Sequence, residues 1–261
     1  MEIVVVRSKN DGSEIVGGAI ADLLTRKPNA VLGLATGSTP LGVYDDLVRR
    51  YTDNGLSFAQ ATGFALDEYV GLPAGHPESY RAVIQREIAQ RVNFAPENVH
   101  GPDGWASDIP AACAEYEDAI NAAGGIDLQI LGVGTDGHIG FNEPISSMAS
   151  LTRIKTLTAQ TREDNARFFD DDLSQVPTHV LTQGVGTILR AHHLVLLAWG
   201  ENKAEAIRAT VEGPITSMVP STALQLHRHA TIVVDEAAAS LLADREHYKW
   251  TYDNKPAWQG I

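Results

Sequence analysis

A chain of 261 residues, 44% hydrophobic and 20% charged, is long enough to bury a full core and has the composition of a globular protein. Its formal net charge of −13 argues against nucleic acid as the main partner, because backbone binding needs a basic face, yet leaves room for a small anionic substrate in one local pocket. No window approaches the ~20 uninterrupted apolar residues of a membrane span, and the opening "MEIVVVRSKNDG" lacks the basic flank and apolar length of a secretory signal.

Strand and helix patterns alternate along the chain. "IVVV" (3–6) reads as a strand and "SEIVGGAIADLLTRK" (13–27) as an amphipathic helix with Ser13 as its N-cap. "AVLGLAT" (30–36) is a buried strand, followed by a helix over 39–51 with Pro40 in its first turn. "ATGFALDEY" (61–69) reads as a strand running out into polar residues, and 76–92 and 109–125 as helices, the second closed by Gly124 and Gly125. That second helix carries Cys113, the lone cysteine. It has no intramolecular disulfide partner, which fits a reducing cytoplasm, and reads as a small core residue.

Residues 126–134, 193–200 and 230–236 are continuous apolar strands of the kind a parallel sheet covered on both faces requires. Helices are expected over 201–213 and 236–245, and the tail from Lys249 carries no clear pattern. With no repeat, low-complexity tract or linker, the expectation is a single α/β domain over 1–261. Its core would be a doubly wound (Rossmann-like), mostly parallel sheet with helices on both faces. Ligands of such sheets bind beyond the carboxyl ends of the strands, where 35–40, 67–71, 134–143 and 199–203 place polar or glycine-rich residues.

"LATGSTP" (34–40) offers the backbone of Gly37, the hydroxyls of Thr36, Ser38 and Thr39, and the free N–H groups of the following helix, a set that suits an anion as well as an ordinary N-cap. It carries neither G-x-x-x-x-G-K nor G-x-G-x-x-G, so a nucleotide is not implied. "FALDEYVGLP" (64–73) sets Asp67 beside Glu68 at a strand end, where neighbours point to opposite faces and at most one enters the crevice. Taken alone, Asp67 reads most simply as a solvated loop carboxylate, but a carboxylate there could also abstract a proton next to a carbonyl. "LGVGTDGHIGFNEP" (131–144) brackets His138 with Asp136 and Glu143, residues able to fix its tautomer and raise its basicity. One histidine with scattered carboxylates and no cysteine pair lacks the spacing of a zinc site, so no metal is expected. Arg162, Arg167 and Lys203 are the cations nearest these segments in pattern, and Lys203 sits just past a strand end.

Together these segments resemble the glucosamine-6-phosphate deaminase family. The resemblance runs through "LGLATGSTPLGVY", "LDEYVGLPAGHPESY", "GVGTDGHIGFNEP", "SLTRIKTLT", "TREDNARFF", "LTQGVGTIL" and "GENKAEAIRATVEG". It implies conversion of glucosamine 6-phosphate and water to fructose 6-phosphate and ammonia, with no cofactor. It makes Asp67 the base that moves a proton between C2 and C1, and His138, with Asp136 and Glu143, the group that opens the sugar ring. Thr36, Gly37, Ser38, Thr39, Arg167 and Lys203 match the substrate-phosphate ligands, and the segment around 153–182 matches a mobile lid. Ser146, Arg153 and Lys155 match an inter-subunit site for the activator N-acetylglucosamine 6-phosphate, found in hexameric members. The tail shows no activator-binding end, so a hexamer and an unactivated monomer both stay open. Two rivals share the architecture: a 6-phosphogluconolactonase or other sugar-phosphate isomerase, and a non-catalytic sugar-phosphate sensor. The sensor would want a helix-turn-helix segment for which the chain leaves no room.

Overall fold

The computed structural model describes residues 1–256 and 258–261. Its strands are β1 (Glu2–Val6), β2 (Val31–Leu34), β3 (Thr62–Ala65), β4 (Asp67–Tyr69), β5 (Val99–His100), β6 (Leu128–Leu131), β7 (Arg153–Thr156), β8 (His179–Thr182), β9 (His193–Ala198) and β10 (Ala230–Asp235). Its α-helices are α1 (Lys9–Arg26), α2 (Leu41–Asn54), α3 (Tyr80–Glu87), α4 (Ile109–Ala122), α5 (Ala159–Ala166), α6 (Val185–Ile188), α7 (Ala204–Glu212) and α8 (Arg245–Asp253).

Seven strands form a parallel sheet in the order β1-β10-β9-β6-β2-β3-β5, flanked by helices. Its central strands are apolar throughout because both faces are covered: every residue of β2, β6 and β9 is buried. From β2 the chain proceeds outward through β3 to β5, then returns to the other side of β2 as β6 and continues to β9 and β10. The direction therefore reverses between β2 and β6, and the crevice beyond their carboxyl ends is where such a sheet takes a ligand.

A second, three-stranded antiparallel sheet, β4-β8-β7, was not foreseen. The expected strand over 61–69 is in fact two, parted at Leu66, whose N–H bonds Leu34 of the large sheet at 2.9 Å while its carbonyl accepts from Gln183 at the end of β8, also at 2.9 Å. Asp67 and Arg153 flank the same residue of the small sheet, Thr182.

Three helix boundaries are also corrected. The first helix starts at Lys9, and its N-cap is Ser8, whose Oγ accepts from the Asp11 N–H, while Ser13 is buried inside the helix. The expected helix over 76–92 is shortened to α3, capped by Ser79 and followed by a 3₁₀ turn over Ala89–Arg91. Residues 236–244 are turns closed by i→i+3 bonds, such as Ser240 N–H to Ala237 and Leu242 N–H to Ala239. There the Glu212 carboxylate takes the N–H groups of Ala243 and Asp244, so the regular helix begins only at Arg245.

At the amino-terminal end of the large sheet, buried His193 stacks on His229 with ring centroids 3.7 Å apart and 1° between planes, and its Nε2 lies 2.9 Å from Thr231 Oγ1. Burial, with the neighbouring His229 and His227, pushes His193 from 6.5 down to about 3. The unfolded chain therefore binds a proton that the folded one refuses. Stability from this residue is complete above pH 6.5 and declines as the pH falls toward 3, by up to about 1.4 kcal/mol per pH unit. Melting curves from pH 7 to 4.5 should show a steeper fall in Tm for the wild type than for His193→Gln, and parallel curves would refute this.

Candidate active site

The turn after β2 occupies one side of the crevice. Tyr44 of α2 anchors its start, donating from its hydroxyl to the Ala35 carbonyl at 2.7 Å and accepting from the Ala35 N–H at 3.2 Å. Gly37 then adopts φ +84°, a left-handed conformation that a side chain disfavours, with open space where a Cβ would stand. The half-exposed Thr36, Gly37 and Thr39 and the exposed Ser38 lead into α2. A turn of this shape ending at a helix N-terminus can hold an anion.

Asp67 stands two residues past the carboxyl end of β3 and is 5% exposed. Burial, reinforced by the charge of Glu68 and opposed by that of His138, pushes its carboxyl up to about 8. Glu68 turns elsewhere: its carboxylate accepts the N–H groups of Tyr69, Tyr80 and Arg81 and so closes the start of α3. As the alternation of a strand requires, one of the two carboxylates is structural and the other is free for chemistry.

The loop after β6 carries the imidazole. A Cβ on Gly134 would come within 2.3 Å of the His138 ring, so only glycine lets the ring lie against this backbone. His138 Nδ1 is 2.8 Å from Asp136 Oδ1 and 3.6 Å from Glu143 Oε2, and its own N–H donates to Asp136 Oδ1 at 3.1 Å. Burial works against the charged ring, but Asp136 and Glu143 outweigh it and lift His138 to about 9. Burial likewise opposes the charge on Asp136, and the contact with His138 outweighs that, holding its carboxyl well below the usual range. The other oxygen of Glu143 accepts from Thr161 Oγ1 at 2.6 Å and Thr158 Oγ1 at 3.4 Å, placing this buried carboxylate at the start of α5. The three donor atoms lie within 4.8 Å of one another, a spacing that a metal ion could also use. As they stand, the two carboxylates face the imidazole and their charges favour its protonated form.

Two side chains tie this loop to the small sheet. Thr182 Oγ1 accepts from the Phe141 N–H at 3.1 Å, and Asn142 Nδ2 donates to the carbonyls of Ile139 (2.9 Å) and Gln183 (2.8 Å). Thr182 is also the strand partner of Asp67, so this carboxylate and the imidazole loop meet on one residue. Lys203 closes the 3₁₀ turn past β9. Burial lowers its pKa and the charge of Arg167 lowers it further, against Asp164 and Asp136, so the two cations and Asp136 share one electrostatic neighbourhood. An anion between Lys203 and Arg167 would relieve their repulsion. Arg167 itself is exposed, its guanidinium 4.8 Å over the Phe168 ring.

Ser146, Arg153 and Lys155 lie toward the other side of the same loop. Ser146 is buried and its Oγ has no hydrogen-bond partner, while Arg153 Nη1 donates to Asn142 Oδ1 at 2.9 Å. Burial and the charge of Arg153 lower the pKa of Lys155. Sequence reasoning missed the supporting side chains Asn142, Thr158, Thr161 and Thr182. The Thr-x-x-Thr spacing of 158–161 at a helix start was the one signal that could have exposed two of them.

Comparison with known proteins fits this geometry. Residues 10–233 match the family described as glucosamine-6-phosphate isomerases/6-phosphogluconolactonase. The chain is 62% identical over 261 residues to the glucosamine-6-phosphate deaminase of Mycolicibacterium smegmatis, and 58% identical over 261 residues to that of Streptomyces coelicolor, each match covering 100% of both chains. A solved monomeric glucosamine-6-phosphate deaminase superposes with a TM-score of 0.90 at 41% identity, covering 92% of this chain and 100% of that one. The 6-phosphogluconolactonase of Trypanosoma cruzi, at 19% identity and a TM-score of 0.73 over 93% of this chain and 97% of its own, shares the fold. With full-length identity this high to deaminases and a match across most of its length, the chain belongs to the glucosamine-6-phosphate isomerase/6-phosphogluconolactonase family, on its deaminase side.

Proposed function

We propose that the chain converts glucosamine 6-phosphate and water to fructose 6-phosphate and ammonia. The observation that carries this reading is the pairing of a buried carboxylate, Asp67, with a charged imidazole relay across the mouth of one crevice. The substrate enters as a ring. Opening it needs a proton delivered to the ring oxygen and one removed from the C1 hydroxyl: charged His138 gives the first and, once neutral, takes the second, with Asp136 and Glu143 as its charge partners. Asp67, ionised, then takes the C2 proton and returns it at C1, while the nitrogen gives up a proton and the C1 oxygen gains one, so that the aldehyde carbon becomes CH2OH and C2 becomes an imine. Water adds at C2 and ammonia leaves. Each step moves protons and electron pairs that the substrate and these side chains already hold.

The turn 36–39, Arg167 and Lys203 bind the phosphate, far from the reacting carbons, and the stretch from β7 through α5 to β8 acts as the lid over it. Holding the remote end orients C1 and C2, an effect worth up to ~7–11 kcal/mol of barrier in well-aligned reactions. Lys203→Ala should accordingly raise KM for glucosamine 6-phosphate about tenfold or more while kcat falls by less. A KM equal to that of the wild type would remove Lys203 from the phosphate site. The direct test of the reaction is a coupled assay for ammonia from glucosamine 6-phosphate, set against hydrolysis of 6-phosphogluconolactone. A rate with the lactone alone would overturn the reading.

As a cellular role we propose hydrolytic deamination in the breakdown of amino sugars, including N-acetylglucosamine, in the cytoplasm, by one domain spanning 1–261. Among the described residues no helix is long and apolar enough to cross a membrane. A second anion site, for N-acetylglucosamine 6-phosphate, is proposed at Ser146, Arg153 and Lys155. It is supported by the buried, unpartnered Ser146 hydroxyl and by two cations close enough for one to depress the other. That site implies association into a hexamer. Rate curves that stay hyperbolic and unmoved by the N-acetyl sugar phosphate would leave the monomer in its place.

A further inference from the structure

We infer that Trp199 is a positioning residue of the phosphate site, a strut that keeps the turn after β2 in register with Lys203 beyond β9. The inference rests on the phosphate role proposed above for 36–39 and Lys203. These two parts come from strands that are not neighbours, because β6 lies between β9 and β2. No ladder of sheet hydrogen bonds runs directly from one to the other.

Trp199 follows the last residue of β9, and its indole Nε1 donates to the Thr39 carbonyl at 3.3 Å. The ring has a fixed seat. A Cβ on Gly12 of α1 would come within 2.5 Å of Trp199 Cη2 and 3.1 Å of Val233 Cγ1 on β10, so the indole fills the space that glycine leaves. The next residue, Gly200, takes φ +88°, and its N–H points at both carboxylate oxygens of Asp235, at 3.1 and 3.0 Å. The Gly200 carbonyl then accepts from the N–H of Lys203 at 3.1 Å. One end of the Trp199–Gly200 pair thus holds the anion turn, and the other starts the turn that presents the lysine.

The held atom matters to an anion. A carbonyl oxygen free to swing in the 36–39 turn can present its negative end to a phosphate, and the indole N–H commits the Thr39 oxygen elsewhere. Pro40 follows directly and supplies no N–H of its own to the site, so the orientation of this peptide decides what the turn offers.

The test compares Trp199→Phe, which keeps a ring on Gly12 but removes the N–H, with Trp199→Leu. Inorganic phosphate affinity is read from the rise in Tm on titration, and ammonia release from glucosamine 6-phosphate gives KM and kcat. Trp199→Phe should weaken phosphate about three- to tenfold and raise KM by a similar factor, with kcat changing less. Trp199→Leu should do the same more strongly, and if it does not fold, Trp199→Phe decides alone. A lower Tm with phosphate affinity and KM unchanged would reduce Trp199 to a packing residue and overturn the inference. Wild-type protein that binds phosphate but releases no ammonia would defeat the deaminase reading only, leaving Trp199 judged on phosphate. Wild-type protein that releases ammonia but is indifferent to phosphate would defeat the inference and leave the deaminase reading standing.

Discussion

Asp67→Asn should lower ammonia release from glucosamine 6-phosphate about 10²–10⁴-fold while fructose 6-phosphate still binds within a few-fold of the wild-type affinity. Asparagine matches aspartate in shape, so the buried position near the large sheet stays filled and the small sheet keeps its pairing with Thr182. What disappears is the carboxylate proposed to take the C2 proton and give it back at C1. The proposed phosphate ligands lie on other elements, so binding of the product measures the site without the chemistry. A variant that released ammonia at near-normal rates would move the base elsewhere.

His138→Asn should cut kcat/KM by a similar factor, about 10²–10⁴-fold, and also change the pH profile in two ways. In the proposed reaction Asp67 acts ionised and His138 charged. Its kcat/KM should therefore rise through about 8, where Asp67 loses its proton, and fall through about 9, where His138 loses its own. Because the two groups interact, these are values of the pair as a whole. Removing the imidazolium removes the alkaline fall. It also removes a positive charge that favours ionised Asp67, so the acid limb of the variant should move to higher pH. An acid limb left in place would mean that the ring and the base do not share one field.

Much of this arrangement was legible before the structure. The strands β2, β6, β9 and β10 declared themselves as apolar runs, because a strand covered on both faces has no polar side to show. The switch between β2 and β6 followed from the same pattern once polar and glycine-rich residues were seen at the strand ends. The small sheet was not legible. Its edge strand β7, "RIKT", leaves every residue partly or fully exposed, and β4 has three residues, too few for a period. The helix α8 fully buries none of its residues, and the pair it packs on the core, Tyr248 and Tyr252, is too narrow a stripe to read from the sequence. Conversely, "EAAASLLADR" has the composition of a helix, but Asp235 at its start bonds both Gly200 and Ala238, and the chain settles into turns.

The site divides the same way. His138, Asp136 and Glu143 lie within a span of eight residues and could be read as a group. Their distance from Asp67 in sequence hid the partnership, which depends on Thr182 and Asn142 reaching across from β8 and the loop itself. Trp199 was hidden for a related reason. An indole at a strand end looks like core, and its contact with Thr39 joins residues 160 positions apart.

Leu66 gives one peptide bond to each sheet, and this has a consequence for how the catalyst can diverge. The 36–39 turn and Lys203, proposed to hold the phosphate, leave strands of the parallel layer, while Asp67 is mounted on the antiparallel module that Leu66 links to it. Remodelling that module would alter the surroundings of Asp67 while the 36–39 turn and Lys203 stay in place. For protein engineering the same joint marks a graft line: exchanging 67–73 together with 153–182, with Arg167 retained and the 31–41 unit kept as it stands, should redirect the chemistry on a phosphorylated sugar.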